Sequence, residues 1–181
     1  MDQPILWSPN ADTGVVILTA VPDSLISFPA AFDVSVASGD TALGFHAFHT
    51  TEALTSHLFI LPGAKRDAPL AALIPLDRDS LGRIEALTRF CFSWQRRPVP
   101  PDTRLTRQQR RRLRLMLQAV DGHLNGATYR EIAKVIYGVA RIDDAPWKTS
   151  PLRDSTIALV RNGLAMIDGG YRQLLRHRRR S

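Results

Sequence analysis

Three prolines in four positions, Pro98, Pro100 and Pro101, constrain this chain more than any other feature. Each fixes its own φ and removes a backbone donor, so neither a helix nor a sheet interior can run through Arg96–Asp102. The segment reads as a stiff, extended linker. The 181 residues suit one ordinary domain or two small ones. With fewer than about 100 residues on either side, each core is thin, and the halves are expected to need each other or a partner.

Charge divides at the same place. Residues 1–95 carry 5 Lys and Arg against 10 Asp and Glu, whereas residues 96–181 carry 19 against 7. Solubility alone would not segregate charge in this way, so the basic half is expected to meet a polyanion and the acidic half is not. A hydrophobic content of 44% with 23% charged residues excludes a disordered chain. No run of about 18 apolar residues exists, so no membrane-spanning helix and no membrane partner are expected. The opening MDQPILW lacks the basic-then-apolar order of a secretory signal. A single cysteine, Cys91, excludes an internal disulfide and a cysteine-based zinc site. A cytoplasmic protein is expected.

The first half reads as short strands and turns. Asn10–Gly14 is a turn between Pro4–Ser8 and the β-rich run Val15–Val21. Leu43–Thr50 alternates, which places Phe48 with His46 and Phe45 on the other face. Leu58–Leu61 is a strand closed by Pro62-Gly63, and Leu73–Leu76 is a further candidate. A helix from Ser80 to Arg96 follows, with Leu81, Ile84, Leu87, Cys91 and Trp94 in one apolar stripe. Cys91 on that stripe reads as a buried structural thiol.

The second half is helical. Thr106 and Gln109 form a capping-box pattern ahead of the stripe Leu113, Met116, Leu117, Val120 and Leu124, which Gly126 ends. Thr128 and Glu131 form a second box, opening a short helix with Ile132, Ala133 and Ile136 inward and Gly138 as its stop. A loop through Asp143, Asp144 and Pro146 leads to Ser150-Pro151, which starts a third helix. Its expected buried face is Leu152, Leu159, Val160, Leu164 and Ile167. Tyr171–Leu175 adds one or two turns.

These divisions give an α+β chain. An acidic strand-rich domain with a small, mostly antiparallel sheet and a closing helix occupies 1–97, and a Pro-rich linker 98–104. A basic, all-helical, helix-turn-helix-like domain fills 105–176, and a basic tail 177–181.

Ala127–Gly138 has the form of the second helix of a helix-turn-helix, in which a capped short helix crosses the DNA backbone and the next helix lies in the major groove. That next helix would present Arg153, Asp154, Ser155, Ile157, Ala158, Arg161, Asn162 and Ala165. Arg153 and Arg161 suit guanine and Asn162 suits adenine; with outward-facing Ser155 these are the four base-reading candidates. Arg107, Arg111 and Arg114 share a face of the first basic helix, and Arg130, Lys134 and Lys148 flank the motif. These six are the phosphate candidates. The tail Arg176–Arg180 would add sequence-independent attraction. The spacing departs from the compact motif: Gly138 falls five residues after Ala133, and some twelve residues separate the two helices.

Catalysis, metal binding and cofactor binding find no support. His46 and His49 point to opposite faces of a strand, while His57, His123 and His177 lie apart with no ligand spacing. Asp77 and Asp79 read as caps of the following helix. There is no phosphate-cradling Gly-rich loop and no nucleophile elbow.

The chain also resembles a proteobacterial regulator family, the RovC-like type VI secretion transcription factor DNA-binding domains, which includes the conjugative-element regulators FseA and QseM. The matching residues are Ile5–Pro9 with Asp12–Val15, Gly126–Ala133, Tyr137-Gly138, Trp147, Leu152–Arg161 and Gly169–Leu175. The resemblance implies transcription control through a helix-turn-helix with a long turn, which would account for the spacing. It also implies activators on promoters and antiactivators that bind another regulator.

The leading reading is a sequence-specific regulator on double-stranded DNA, an activator of secretion or conjugative-element genes. It would act as a homo-oligomer, because one module contacts too few bases, with RNA polymerase or another regulator as a further partner. The alternative is a protein-binding antiactivator that captures another regulator through exposed Ile157, Ala158 and Ala165. RNA binding ranks third, since exposed aromatic pairs for stacking are missing.

Overall fold

The computed structural model describes residues 5–25, 34–36, 42–65, 68–143 and 146–176. The chain divides into two units, one of residues 1–102 with 175–181 and the other of residues 103–174.

Strands β1 (Val16–Ala20), β2 (Ser35–Val36), β3 (Phe45–Thr50), β4 (Thr55–Ile60) and β5 (Leu70–Ala72) form one sheet in the order β2-β3-β4-β1-β5. β1 runs parallel to β4, and the other three pairings are antiparallel, as the mostly antiparallel expectation requires. The β3–β4 hairpin sets Phe45 opposite Ile60 and Thr50 opposite Thr55. Thr51 closes it, its N–H donating to the Leu54 carbonyl at 2.9 Å. The period of two then sorts the side chains. Val16, Leu18, Phe45, Ala47, Leu58 and Ile60 are buried with Phe90 of helix α1 (Ser80–Trp94). The opposite face carries a cross-strand square of His46, Phe48, His57 and Phe59, with ring centroids 4.8–4.9 Å apart.

Several local expectations shift. The fifth strand is Leu70–Ala72 rather than Leu73–Leu76; Leu73 gives a last N–H to the Ile17 carbonyl, and Pro75 then cannot donate. Residues 5–8 are not a strand, and Pro4 lies outside the described residues. In α1, Leu87, Cys91 and Trp94 pack on the sheet, but Leu81 and Ile84 are exposed. Arg83 and Ser93 are buried instead: the Arg83 Nη2 donates to the Pro9 carbonyl at 3.0 Å while its Nε and Nη1 have no partner among the described residues, and the Ser93 and Thr51 hydroxyls meet at 2.7 Å. The Asp79 side chain makes no capping bond. Asp77 Oδ1 accepts the Asp79 N–H at 2.7 Å, turning the chain into the helix.

Both chain crossings into the helical unit start from fixed points. Arg89 on α1 donates from Nε to the Pro100 carbonyl at 3.1 Å and pairs with Asp102 at 3.6 Å, so the proline segment lies along its own helix. After the second unit, the Leu175 carbonyl accepts the N–H and hydroxyl of Thr13 at 3.1 and 3.2 Å. Arg176, expected in a free tail, binds the Asn10 carbonyl at 3.1 Å and lies 3.7 Å from the Asp79 carboxylate. Residues 177–181 lie outside the described residues.

The second unit is built from α2 (Arg107–Leu124), α3 (Tyr129–Tyr137), α4 (Val139–Asp143) and α5 (Pro151–Ile167), with 3-10 turns at Trp147–Thr149 and Gly170–Leu175. Met116, Ala119, Ile132, Leu159 and Val160 form its core. The buried stripes are narrower than expected: Leu117 and Leu124 on α2, and Leu164 and Ile167 on α5, are exposed. At Gly163, α5 approaches α2 closely. A Cβ at Gly163 would collide with Val120 Cγ2 and lie 3.1 Å from the Met116 carbonyl oxygen.

Two predictions follow from this packing. Gly163→Ala should lower unit stability by about 1–3 kcal/mol through overpacking. Combined with Val120→Ala, which removes the colliding methyl, it should cost less than the sum of the single changes. Additive losses in denaturant melts would show that the contact does not set the helix distance. The second prediction concerns His57, whose pKa is pushed down to about 4, first by burial and then by neighbouring His46, with Asp12 opposing. The unfolded chain takes this proton near 6.5 and the folded sheet only near 4, so stability is lost as pH falls through that interval. The melting temperature should drop from about pH 7 to about pH 5, and less steeply in His57→Gln. Parallel profiles would remove His57 as the source.

Candidate nucleic-acid interface

The two capping boxes fix where α2 and α3 begin. Gln109 N–H donates to Thr106 Oγ1 at 3.2 Å while the Thr106 N–H reaches Gln109 Oε1 at 2.8 Å. The Thr128–Glu131 pair repeats this, with the Thr128 N–H 2.8 Å from Glu131 Oε2, a bond that holds the Glu131 carboxyl below its usual range. Gly126, at φ +82°, ends α2 as the Gly126 and Ala127 N–H groups close on the His123 and Gly122 carbonyls. Gly138, at φ +92°, ends α3. Ser150 caps α5 by accepting the Leu152 N–H, with Pro151 in the first turn.

The expected pair of helices is therefore present, with α3 and α5 both packed on α2. What joins them differs from the loop expected through Asp143, Asp144 and Pro146. Val139–Asp143 is itself a short helix with Ile142 only 2% exposed, and Trp147–Thr149 is a 3-10 turn. Residues 144–145 lie outside the described residues. A buried isoleucine one residue before the end of α4 gives this connection an anchor of its own.

Asp143 collects two of the phosphate candidates. Its Oδ1 is 2.9 Å from Arg130 Nη2 and its Oδ2 is 3.0 Å from Lys134 Nζ. Arg130 and Lys134 stand one turn apart on α3, so one carboxylate reaches both. The Lys134 hydrogen bond is the main reason the Asp143 carboxyl stays below its ordinary value. In the sequence Asp143 read only as a loop residue; its position after the Gly138 stop held no visible pattern.

The remaining candidates are distributed over several faces. Ser155 and Arg161 are exposed on α5, while Arg153 and Asn162 are half-buried. Arg153 lies 3.5 Å from the Asp154 carboxylate. The buried face of α5 is Thr156, Leu159, Val160 and Gly163, with the Thr156 hydroxyl donating to the Leu152 carbonyl at 2.7 Å. At 100° per residue this turns Asp154, Arg161 and Ala165 most directly outward, with half-buried Ala158 beside them. Arg153 and Ser155 then fall on opposite flanks, so the four base-reading candidates do not share one stripe. Arg107, Arg111, Arg114 and Lys148 are exposed. Among the described residues, these four and Arg161 have no carboxylate in ion-pair range.

Charge divides less sharply between the units than at the linker, because the first unit also takes in Arg96, Arg97 and the basic end of the chain. Residues 103–174 contain 13 Lys and Arg against 6 Asp and Glu, so the helical unit carries a net +7, the net charge of the whole chain. Among the described residues no group of His, Cys, Asp and Glu is placed to hold a metal ion, and no helix is long and apolar enough to cross a membrane.

A comparison with curated proteins returns no match. A family model described as the DNA-binding domain of a type VI secretion system transcription factor matches residues 73–176, which is more than half of the chain. The span takes in α1, the proline segment and every helix of the second unit. DNA-binding domains of transcription factors are not a class of enzyme. The chain belongs to the family of type VI secretion transcription factor DNA-binding domains, and DNA binding is the activity that membership carries.

Proposed function

We propose that the protein is a sequence-reading transcription regulator in which α3 and α5 act as a helix-turn-helix with a long, structured turn. The observation that carries this is the outward face of α5, where Arg161 stands exposed and unpaired among the described residues on a unit of net +7. A guanidinium there is free to make the bidentate bond to guanine O6 and N7. Arg107, Arg111, Arg114 and Lys148 supply phosphate contacts, and Arg153, Ser155 and Asn162 flank the reading stripe. Arg130 and Lys134 reach phosphates only in exchange for Asp143. The protein works as a homo-oligomer in the cytoplasm, and its role is activation of secretion or conjugative-element genes.

A second reading, capture of another regulator, is favoured by one observation. Leu117, Leu124, Leu164 and Ile167 are all exposed on α2 and α5 of the same unit. Apolar side chains of this number on one small unit suit a protein partner.

Binding to the protein's own upstream promoter and to random DNA across a salt series decides between the two. Promoter preference that persists near 150–200 mM salt (roughly physiological and above) is the expected result. Equal, salt-fragile binding to both, or none, would favour capture of a regulator. Within that assay, Arg161→Ala should cost about 1–3 kcal/mol on the promoter and little on random DNA, whereas Arg114→Ala should weaken both alike and flatten the salt slope by about 1. Equal losses on both DNAs for Arg161→Ala would take base reading away from Arg161.

A further inference from the structure

A groove of about 440 Å³ lies between α2 and the first half of α5, closed at one side by Tyr137 at the end of α3. Its wall on α2 is Gln108, Arg111 and Arg112, and its wall on α5 is Ser155. Leu115, Ala158 and Leu159 also line it. Spacing explains the set: Gln108, Arg111, Arg112 and Leu115 follow the three- and four-residue steps of one helical face. Arg112 thus belongs to a different face from Arg107 and Arg114, which is why the sequence did not single it out. Arg111 and Arg112 are both exposed, and among the described residues neither has a carboxylate partner.

We propose that this groove seats one sugar–phosphate unit of the DNA backbone, with Arg111 and Arg112 on the phosphate and the apolar residues against the sugar. The inference rests on the DNA-binding reading above and adds to it Arg112, and a backbone role for Ser155 in place of base reading. Three features select this ligand. Two guanidinium groups on neighbouring residues, with no carboxylate in ion-pair range among the described residues, call for an anion, and their forked donors match phosphate oxygens. The volume is several times that of a bare phosphate, so the ligand brings a further group. The lining alternates charged, hydroxyl-bearing and apolar side chains, as a sugar–phosphate does. The hydroxyls of Ser155 and Tyr137 and the Gln108 amide are additional donors of the kind that phosphate contacts use. Because Ser155 stands on α5 itself, a phosphate held here would fix the register of the reading helix.

The test compares the full chain with Arg112→Gln and Ser155→Ala on promoter and random duplexes over a salt series. It adds duplexes in which single backbone phosphates are replaced by neutral methylphosphonates. Arg112→Gln is expected to weaken both DNAs alike and to lower the salt slope by about 1. One methylphosphonate position should weaken the native chain and have no further effect on Arg112→Gln. Ser155→Ala should weaken both DNAs without changing base preference. If the native chain binds DNA and Arg112→Gln keeps its affinity and slope, the groove is not a backbone seat, although the DNA-binding reading stands. If the native chain binds no DNA while a nucleoside monophosphate shifts the Tyr137 resonances, the groove takes a free nucleotide and the DNA source is overturned. Arg112 is exposed, so an unchanged melting temperature is expected to separate loss of binding from loss of fold.

Discussion

Everything the helical unit can present to DNA depends on the approach of α5 to α2 at Gly163. A residue with any side chain there would meet Val120 and the Met116 backbone, so the glycine fixes both the distance between the helices and the rotation of α5 about its axis. Rotation is the consequential part. With Thr156, Leu159, Val160 and Gly163 inward, Arg161 is outward and Ser155 looks toward α2. A rotation of α5 by one residue position would carry one of these two side chains into the buried face. Rigid placement of this kind matters because a guanidinium must reach a base edge in a narrow range of directions, and side-chain freedom alone supplies that poorly.

Much of this was legible in the sequence wherever a local rule acts. Both capping boxes, the Gly126 and Gly138 stops and the Ser150-Pro151 start depend on a few neighbouring residues, and each lies where its pattern places it. The alternation in β3 likewise sorted Phe45 from His46 and Phe48. Faces decided by distant partners were not legible. Leu81 and Ile84 fit a helical stripe, yet Arg83 and Ser93 take the inner positions, where Pro9 and Thr51 meet them from far along the chain. The widths of the α2 and α5 stripes were overestimated as well. Hydrophobic periodicity counts Leu117, Leu124, Leu164 and Ile167, but Leu117 and Ile167 line an open apolar groove beside Gly163 instead of closing over it.

The candidate site shows the same division. Counting arginines located the basic surface, but partners decide which cations are available. Arg130 and Lys134 share Asp143, Arg153 lies beside Asp154, and Arg176 is held by Asn10 and Asp79. Two of these pairings join residues well separated along the chain, and none announces itself as a motif. The square of His46, Phe48, His57 and Phe59 arises in the same way. Strand register brings together histidines eleven residues apart, with ring nitrogens 2.8 Å from one another.

The span matched by the family, residues 73–176, is cut differently from the units of the fold. It contains α1, but the strands β1, β3 and β4 that cover α1 precede residue 73. What heredity keeps together and what burial keeps together are thus offset by one helix. A fragment trimmed to the matched residues would leave Ala86, Leu87, Phe90, Cys91 and Trp94 without the sheet they pack against. A protein holding only the matched span would have to clothe that helix with something else, either another domain of the same polypeptide or a neighbouring subunit.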